Sequence, residues 1–359
     1  MPEIYYLTEK KEYHHDAGSK APNDIEELCR RRGYLKFETG RFPEGKNRIY
    51  RKLWMLIKGN FYWFSLYKRV KEGDIIFVQH PSHIERIANY WIKRIKRGKK
   101  CKFISLIHDL GSIRGWSFKN KRVADYYDSV VLKSYDALIC HNDKMIAYLC
   151  DKGFEKEKLV DLQIFDYLTS FDNCLVHRFR SNSVVIAGNM NPEKSSYIYR
   201  MVDEKHNTSL QINLFGSNVS EKDLHGNMTW FGSFDPDVLI SKLDGSFGLI
   251  WDGPSAETCD MEIGNYLRYI NPHKLSLYLV SGLPVIIWEK AAMSGFILKN
   301  KLGITLNSLY ELEDRISSIT DEEYREMKEN AGMISEKIKN GYFFYRAFDE
   351  AVNRIVNGH

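Results

Sequence analysis

No two of the six cysteines stand in a CxxC pair. Cys29, Cys101, Cys140, Cys150, Cys174 and Cys259 are scattered, most of them within apolar or helical stretches. That spacing argues against a zinc site or a disulfide framework, and for buried thiols in a reducing, cytoplasmic setting. The N-terminal MPEIYYLTEKKEY lacks the apolar core of a signal peptide, and no apolar run approaches the roughly 18 residues of a membrane span. There is no HExxH, no clustered Cys/His pair and no DxD flanked by strand residues, so no metal ligands are expected. Asp235-Pro236-Asp237 reads as a helix cap instead. A GxSxG elbow and a Walker loop are both missing, which sets aside nucleophilic hydrolysis and P-loop chemistry. Charge of one sign is scarce as well. A formal net charge of +5 over 359 residues permits a basic cleft for an anionic ligand. It gives no case for nucleic acid, and no RNP-like, zinc-finger or long basic-arm pattern supplies one.

What remains is an ordinary globular composition, 43% hydrophobic and 28% charged, in a chain long enough for two cored domains. Apolar runs at 3–7, 34–38, 74–78, 102–107, 137–140 and 159–162 read as strands, separated by helical spacing at 23–32, 82–96, 123–134 and 142–152. A second set of strands follows at 184–187, 210–215, 229–231, 247–251 and 285–288, with helices at 291–299, 309–317 and 321–339. Repeated βα units force parallel sheets with right-handed crossovers. The expected class is therefore α/β, with one domain over 1–165, a polar linker over 166–182, a second domain over 183–340, and a closing amphipathic helix over 341–359. Residues 48–70 are ambiguous. Their Trp, Phe, Tyr, Lys and Arg resemble an interfacial helix in peripheral membrane contact; packing on the sheet, or on a second subunit of a homo-oligomer, explains them equally well.

One stretch, 265–288 (NYLRYINPHKLSLYLVSGLPVIIW), carries more than core. Asn271 is placed to cap a helix and Pro272 to fill its first position. Leu275, Tyr278 and Leu279 recur at helical spacing, Gly282 suits a left-handed stop, and Val285-Ile286-Ile287-Trp288 reads as a buried parallel strand. A helix start offers unpaired N–H groups and the positive end of the dipole to an anion. Lys274 lies in that first turn, where a cation is unfavourable unless an anion is present. Asn265, Arg268 and Tyr269 precede it, so polar donors converge in a way that suits a diphosphate.

Ligands in such sheets bind beyond the carboxyl ends of the strands. In the second half those ends are Gly188-Asn189, Gly216-Ser217 and Asp252-Gly253, with Lys194 and Arg178 as nearby cations. In the first half they are Gln79-His80-Pro81, His108-Asp109 and His141-Asn142. Either His108 or Asp109 could take a proton from a sugar hydroxyl.

The run Asn265-x-x-Arg268-Tyr269-x-x-Pro272-x-Lys274-Leu275-Ser276-x-Tyr278-Leu279-x-x-Gly282-x-Pro284-Val285-Ile286 resembles the nucleotide-sugar motif of a group of bacterial GT-B glycosyltransferases. That group includes β-1,6-galactofuranosyltransferases and the glucosyltransferases that extend glycans on streptococcal serine-rich adhesins. Ala17-Gly18-Ser19-Lys20-Ala21-Pro22-x-Asp24-Ile25, Ile107-His108-Asp109-Leu110 and Ala187-Gly188-Asn189 match in the same order.

The resemblance implies a GT-B fold of two Rossmann-like domains facing a cleft. It implies transfer of a hexose (galactofuranose, glucose or galactose) from a UDP-sugar to a glycan or glycolipid hydroxyl in cell-surface polysaccharide or glycoprotein synthesis. Tyr269, Lys274 and the helix start would meet the diphosphate, and Gly188, Asn189, Phe215 and Gly216 would lie near the nucleotide. Lys194, Asp252, Asn265 and Arg268 complete the expected donor set. Gly18-Ser19-Lys20 would be a loop on the acceptor side, and His108 and Asp109 the catalytic neighbourhood. No metal and no cofactor beyond the UDP-sugar are expected, and inversion follows only by analogy. The competing readings are a catalytically inactive nucleotide-sugar-binding partner subunit, and another GT-B enzyme such as an epimerase or phosphorylase.

Overall fold

The computed structural model describes residues 2–9, 17–40, 43, 47–114, 121–171, 180–202, 208–261 and 263–357. Cys174 and Arg178, singled out above, lie outside these described residues. The chain divides into two compact units.

The first unit is built on a six-stranded parallel sheet: β1 (Ile4–Glu9), β2 (Leu35–Thr39), β3 (Ile75–His80), β4 (Lys102–Ile107), β5 (Ala137–Cys140) and β6 (Leu159–Asp161). Its strand order is β2-β1-β3-β4-β5-β6. β3, β4 and β5 are buried along almost their whole length. Continuous apolar runs rather than alternating ones are what a sheet covered on both faces requires. The closing helix, Tyr342–Asn357, belongs to this unit from Phe344 onward. Phe348 meets Phe77 edge-on at 5.3 Å, and Arg354 donates to the carbonyls of Glu157 and Leu159.

The second unit repeats the plan with β7 (Ser183–Asn189), β8 (Gln211–Ser217), β9 (Met228–Trp230), β10 (Phe247–Ile250), β11 (Val285–Trp288) and β12 (Gly303–Leu306). All its pairings are parallel, in the order β12-β11-β10-β7-β8-β9. The strand order therefore reverses direction between β7 and β10, and in sheets of this kind ligands bind outside the carboxyl ends of the strands at such a point. Residues 163–171 contain no helix or strand, yet Ile164, Phe165, Tyr167 and Leu168 are buried.

Two expectations need correction. The helix foreseen over 23–32 begins earlier and spans Ala17–Arg31, so Gly18-Ser19-Lys20 are helical rather than loop. Pro22 lies inside it and cannot donate to the turn before it. The division between the two units falls at that proline, leaving residues 17–21 with the second unit. Residues 48–69 form one continuous rod, Arg48–Trp54 and Asn60–Arg69 joined through a π-helical turn at Met55–Gly59.

Candidate functional site

Helix His273–Val280 delivers the central residue of the site. Tyr278 anchors it: the phenol oxygen accepts from the Ala187 amide at 2.9 Å and donates to the Leu249 carbonyl at 3.2 Å. One side chain thus ties the helix to both strands that flank the switch point, β7 and β10. Room for it comes from Gly248, where a Cβ would fall 2.2 Å from the Tyr278 ring. Burial pushes the Tyr278 phenol well above its ordinary range, so it remains a neutral donor. Four residues earlier on the same helix face stands Lys274.

Lys274 reaches the two strand ends. A Cβ at Gly188 would lie 3.2 Å from Lys274 Cε, so the lysine stem occupies the space that Gly188 leaves open. Its Nζ is 3.7 Å from Asp252 Oδ1, just past the end of β10. The lysine and aspartate side chains are 24% and 23% exposed, enough for a ligand to reach the ammonium. Gly188 pairs in register with Gly216 of β8. A Cβ at Gly216 would sit 1.8 Å from the Gly188 carbonyl oxygen, so the two strand ends approach as only glycine permits.

The helix start differs from the sequence expectation in one detail. Pro272 occupies the cap position, with φ −67° and ψ 131°, and no side chain caps the turn. Asn271, expected as the cap, is buried and donates through Nδ2 to the Gln163 carbonyl at 3.2 Å. The extended ψ of Pro272 sets Asn271 one residue too far from the helix to serve it. His273 packs on Phe165 at 4.3 Å, and burial lowers it to about 4, so it is neutral at pH 7. The positive charge in this first turn is that of Lys274.

Several expected donor-set residues have other duties. Arg268 donates through Nε to Asn265 Oδ1 at 2.8 Å, pairs with Asp260, and lies over the Trp288 ring at 4.7 Å. Asp260 also pairs with Lys290 at 3.1 Å, and hydrogen bonds from Arg268 and Lys290 hold its carboxyl below the usual range. Asn265 and Arg268 therefore form an ion network, with the cation already met. Phe215 is buried and stacks on Phe231 at 4.9 Å. The ring that reaches solvent there is Phe231, 45% exposed, beside Trp230, whose Nε1 donates to the Gly216 carbonyl. Sequence reasoning missed both. A run of two aromatics directly before Gly232 was the available signal. Asn189 accepts through Oδ1 from the Asn191 amide and from Asn218 Nδ2, closing the turn after β7. Lys194 follows in the short helix Pro192–Ser195, and Tyr269 ends the turn before Asn271.

Lys20 is found in the second unit rather than on an acceptor-side loop. It pairs with Asp237 at 2.9 Å, donates to the Leu168 carbonyl at 2.6 Å, and lies over the Tyr167 ring. Ser19 and Gly18 precede it in the same helical turn.

In the first unit, His108 and Asp109 follow β4. The Gln79 amide nitrogen donates to the Pro22 carbonyl, which turns its oxygen toward His108. His108 Nε2 donates to that oxygen at 2.6 Å. Asp109 instead pairs with Arg114. Beneath them lies a buried ionic cluster that sequence reasoning did not foresee. His80 Nδ1 contacts Glu85 Oε2 at 2.9 Å, and its Nε2 is 3.4 Å from Asp128 Oδ1. Tyr135 donates to Glu85 at 2.8 Å. Burial alone would lower His80, but the two carboxylates outweigh it and raise it to about 10. The His80 carbonyl accepts from the His108 amide at 2.7 Å, fixing the start of the His108 loop.

Residues 4–164 match the domain described as glucosyltransferase 3-like, N-terminal, and residues 184–351 its C-terminal counterpart. The chain is 39% identical over 263 residues to the β-1,6-galactofuranosyltransferase WbbI of Escherichia coli K12, covering 71% of this chain and 73% of that protein. It is 23% identical to glucosyltransferase 3 of Streptococcus gordonii, over 94% of each chain. Among solved structures it resembles Anabaena HepE in complex with UDP. The TM-score is 0.61 at 11% identity, over 98% of this chain and 100% of that one.

Proposed function

Because the chain belongs to the glucosyltransferase 3-like family of GT-B glycosyltransferases, we propose that it moves a hexose from a UDP-sugar to a hydroxyl of a glycan acceptor. The observation that supports this reading most directly is Lys274: a cation in the uncapped first turn of a helix, laid over Gly188 at the reversal of strand order. In this reading the diphosphate takes the place beside Lys274 and the first-turn amides. Charge developing on the leaving UDP is met by groups already in position, which is where electrostatic catalysis gains most. The Lys274–Asp252 contact at 3.7 Å is loose, so the ammonium can turn to the phosphate without breaking a tight pair. Gly188 and Gly216 admit the nucleotide close to the backbone, and Phe231 offers a ring face to the base.

His108 is the proposed base toward the acceptor hydroxyl. Gln79 fixes its tautomer, while Asp109 is occupied by Arg114. A base acting directly on the acceptor suits a single displacement with inversion. Lys274 and the helix start supply the positive charge that a metal supplies elsewhere, so the proposal includes a metal-independent reaction.

The test begins with thermal unfolding in UDP and a panel of UDP-hexoses. A ligand at about 100 times its dissociation constant adds about 2.7 kcal/mol, a rise of roughly 5–10 °C for a unit of this size. Wild type is expected to show that rise and Lys274→Ala to lose it. No shift with any uridine nucleotide would sink the donor-site reading. With a transferable hexose in hand, His108→Ala is expected to lower kcat about 10²–10⁴-fold and Asp109→Asn far less. The reverse order would exchange their roles. An EDTA-insensitive rate, and a product whose anomeric configuration by NMR is opposite to the donor's, are the expected companions.

A further inference from the structure

Residues 48–69 present an outer face that the core of the first unit does not use. Met55, Gly59, Trp63 and Leu66 form the buried stripe, and the π turn at Met55–Gly59 keeps the first three aligned at four-residue spacing. Trp63 fixes the rod by donating to the Ile84 carbonyl at 3.1 Å, and Asn60 fixes it by accepting from Trp91 at 2.8 Å. With the inner side so anchored, the opposite side turns a row of large apolar groups to solvent. Ile49 is 71% exposed, Ile57 66%, Phe61 59%, Leu56 57% and Leu53 51%.

The charge on the rod itself has one sign. Residues 47–70 contain six Lys or Arg and no Asp or Glu. The neighbouring helix Ala88–Lys99 adds five more cations and again no carboxylate. Lys52, Lys58, Lys68 and Arg69 are exposed among the apolar groups. Among the described residues no helix is long and apolar enough to cross a membrane, so this rod is not a span.

From this combination we propose that the outer face of residues 48–69 docks on an anionic phospholipid surface, its apolar row entering the headgroup boundary and its cations meeting lipid phosphates. An amphipathic rod of aromatic and aliphatic groups bordered by Lys and Arg is built for that interface. A second copy of the chain fits less well, because a two-fold contact would set the same cationic strip against itself. Nucleic acid fits less well too, since exposed Ile and Leu stand where phosphate contacts would have to be made. The proposal goes beyond the transferase reading and holds whether or not the donor is a UDP-sugar.

Co-sedimentation of the full chain with vesicles tests it, using phosphatidylcholine alone and phosphatidylcholine with about one third phosphatidylglycerol. Binding is expected only to the anionic vesicles and is expected to weaken as salt rises from about 0.05 to about 0.5 M. The triple variant Lys52→Glu/Lys58→Glu/Lys68→Glu should lose at least about tenfold in partitioning. Ile57→Ser/Phe61→Ser should lose binding at unchanged charge, and Ile49→Ser/Leu53→Ser gives a second apolar pair should the first melt early. Equal binding to neutral vesicles, retention by the triple variant, or no sedimentation at all would overturn the proposal. So would a concentration-dependent dimer that Phe61→Asp dissociates while vesicles are ignored; that result would make the face a contact between copies.

Discussion

Gly216 and Gly188 show how two missing side chains can leave room for different things, one for backbone and the other for a lysine side chain. At Gly216 the obstacle to a Cβ is backbone, the Gly188 carbonyl oxygen 1.8 Å away, and φ is +152°. Gly216→Ala is expected to cost about 3 kcal/mol or more, read as a lower urea midpoint for the second unit. At Gly188 the obstacle is the movable end of Lys274 at 3.2 Å, with φ +129°. Gly188→Ala should cost less, about 1–3 kcal/mol, yet displace the lysine and abolish stabilisation by UDP. If UDP still protected a folded Gly188→Ala, Lys274 would not be the group that meets the phosphate. Both glycines were legible in the sequence as glycines after strands. Their different meanings were not, because each depends on what the fold brings opposite.

Among the elements, the closing helix shows most plainly how a distant segment completes a core. Phe344, Ala347, Phe348 and Ala351 are all buried, and Arg32 pairs with Asp349 while Tyr345 donates to the Leu28 carbonyl at 3.1 Å. Burying each phenylalanine contributes about 1.5–3 kcal/mol, so the two together rival a good part of a domain's net stability. Deleting residues 342–359 is expected to unfold the first unit and leave the second folded, so that a two-step melt becomes one step. A first unit that melts normally without the helix would refute this account. The amphipathic pattern of 342–356 announced the helix. Its partners in the first sheet, more than 180 residues earlier, left no sign in that pattern.

At the scale of the whole molecule, two histidines bias stability in opposite directions with pH. His80 is raised from 6.5 to about 10. Its contribution is complete below pH 6.5 and drains away as pH climbs toward 10, because the fold must then give up a proton that stabilises it. His273 is lowered from 6.5 to about 4. Below pH 6.5 the unfolded chain takes up a proton that the buried ring refuses, so stability falls as pH drops toward 4. The urea midpoint of the first unit is therefore expected to fall as pH rises above about 6.5, and that of the second unit to fall as pH drops below it. His80→Asn should remove part of the alkaline decline and His273→Asn part of the acid one. A wild-type midpoint that stays level from about pH 7 to about pH 9 would remove the charged-His80 picture.

The sequence by itself determined what is local. Apolar runs with turn residues at their ends specified the parallel strands except β12, Gly303–Leu306, a short edge strand that begins on a glycine and went unread; Gly282 specified a left-handed stop at φ +71°, and the scattered cysteines proved free wherever they are described, with Cys29, Cys101, Cys140 and Cys259 buried. Only the tertiary structure decided which polar groups keep their charge available. Arg268 and Lys274 stand six residues apart and read alike in the sequence. One is held tightly by Asp260, eight residues before it, while the other has only a loose 3.7 Å contact with Asp252 and emerges at the strand-order reversal beside a glycine 86 positions away. The physical reason is that a side chain's charge is spent or spared by neighbours the fold assembles, and that a glycine's vacancy matters only once something reaches into it. The same holds for Phe215 and Phe231, one inside and one at the surface of a single stacked pair.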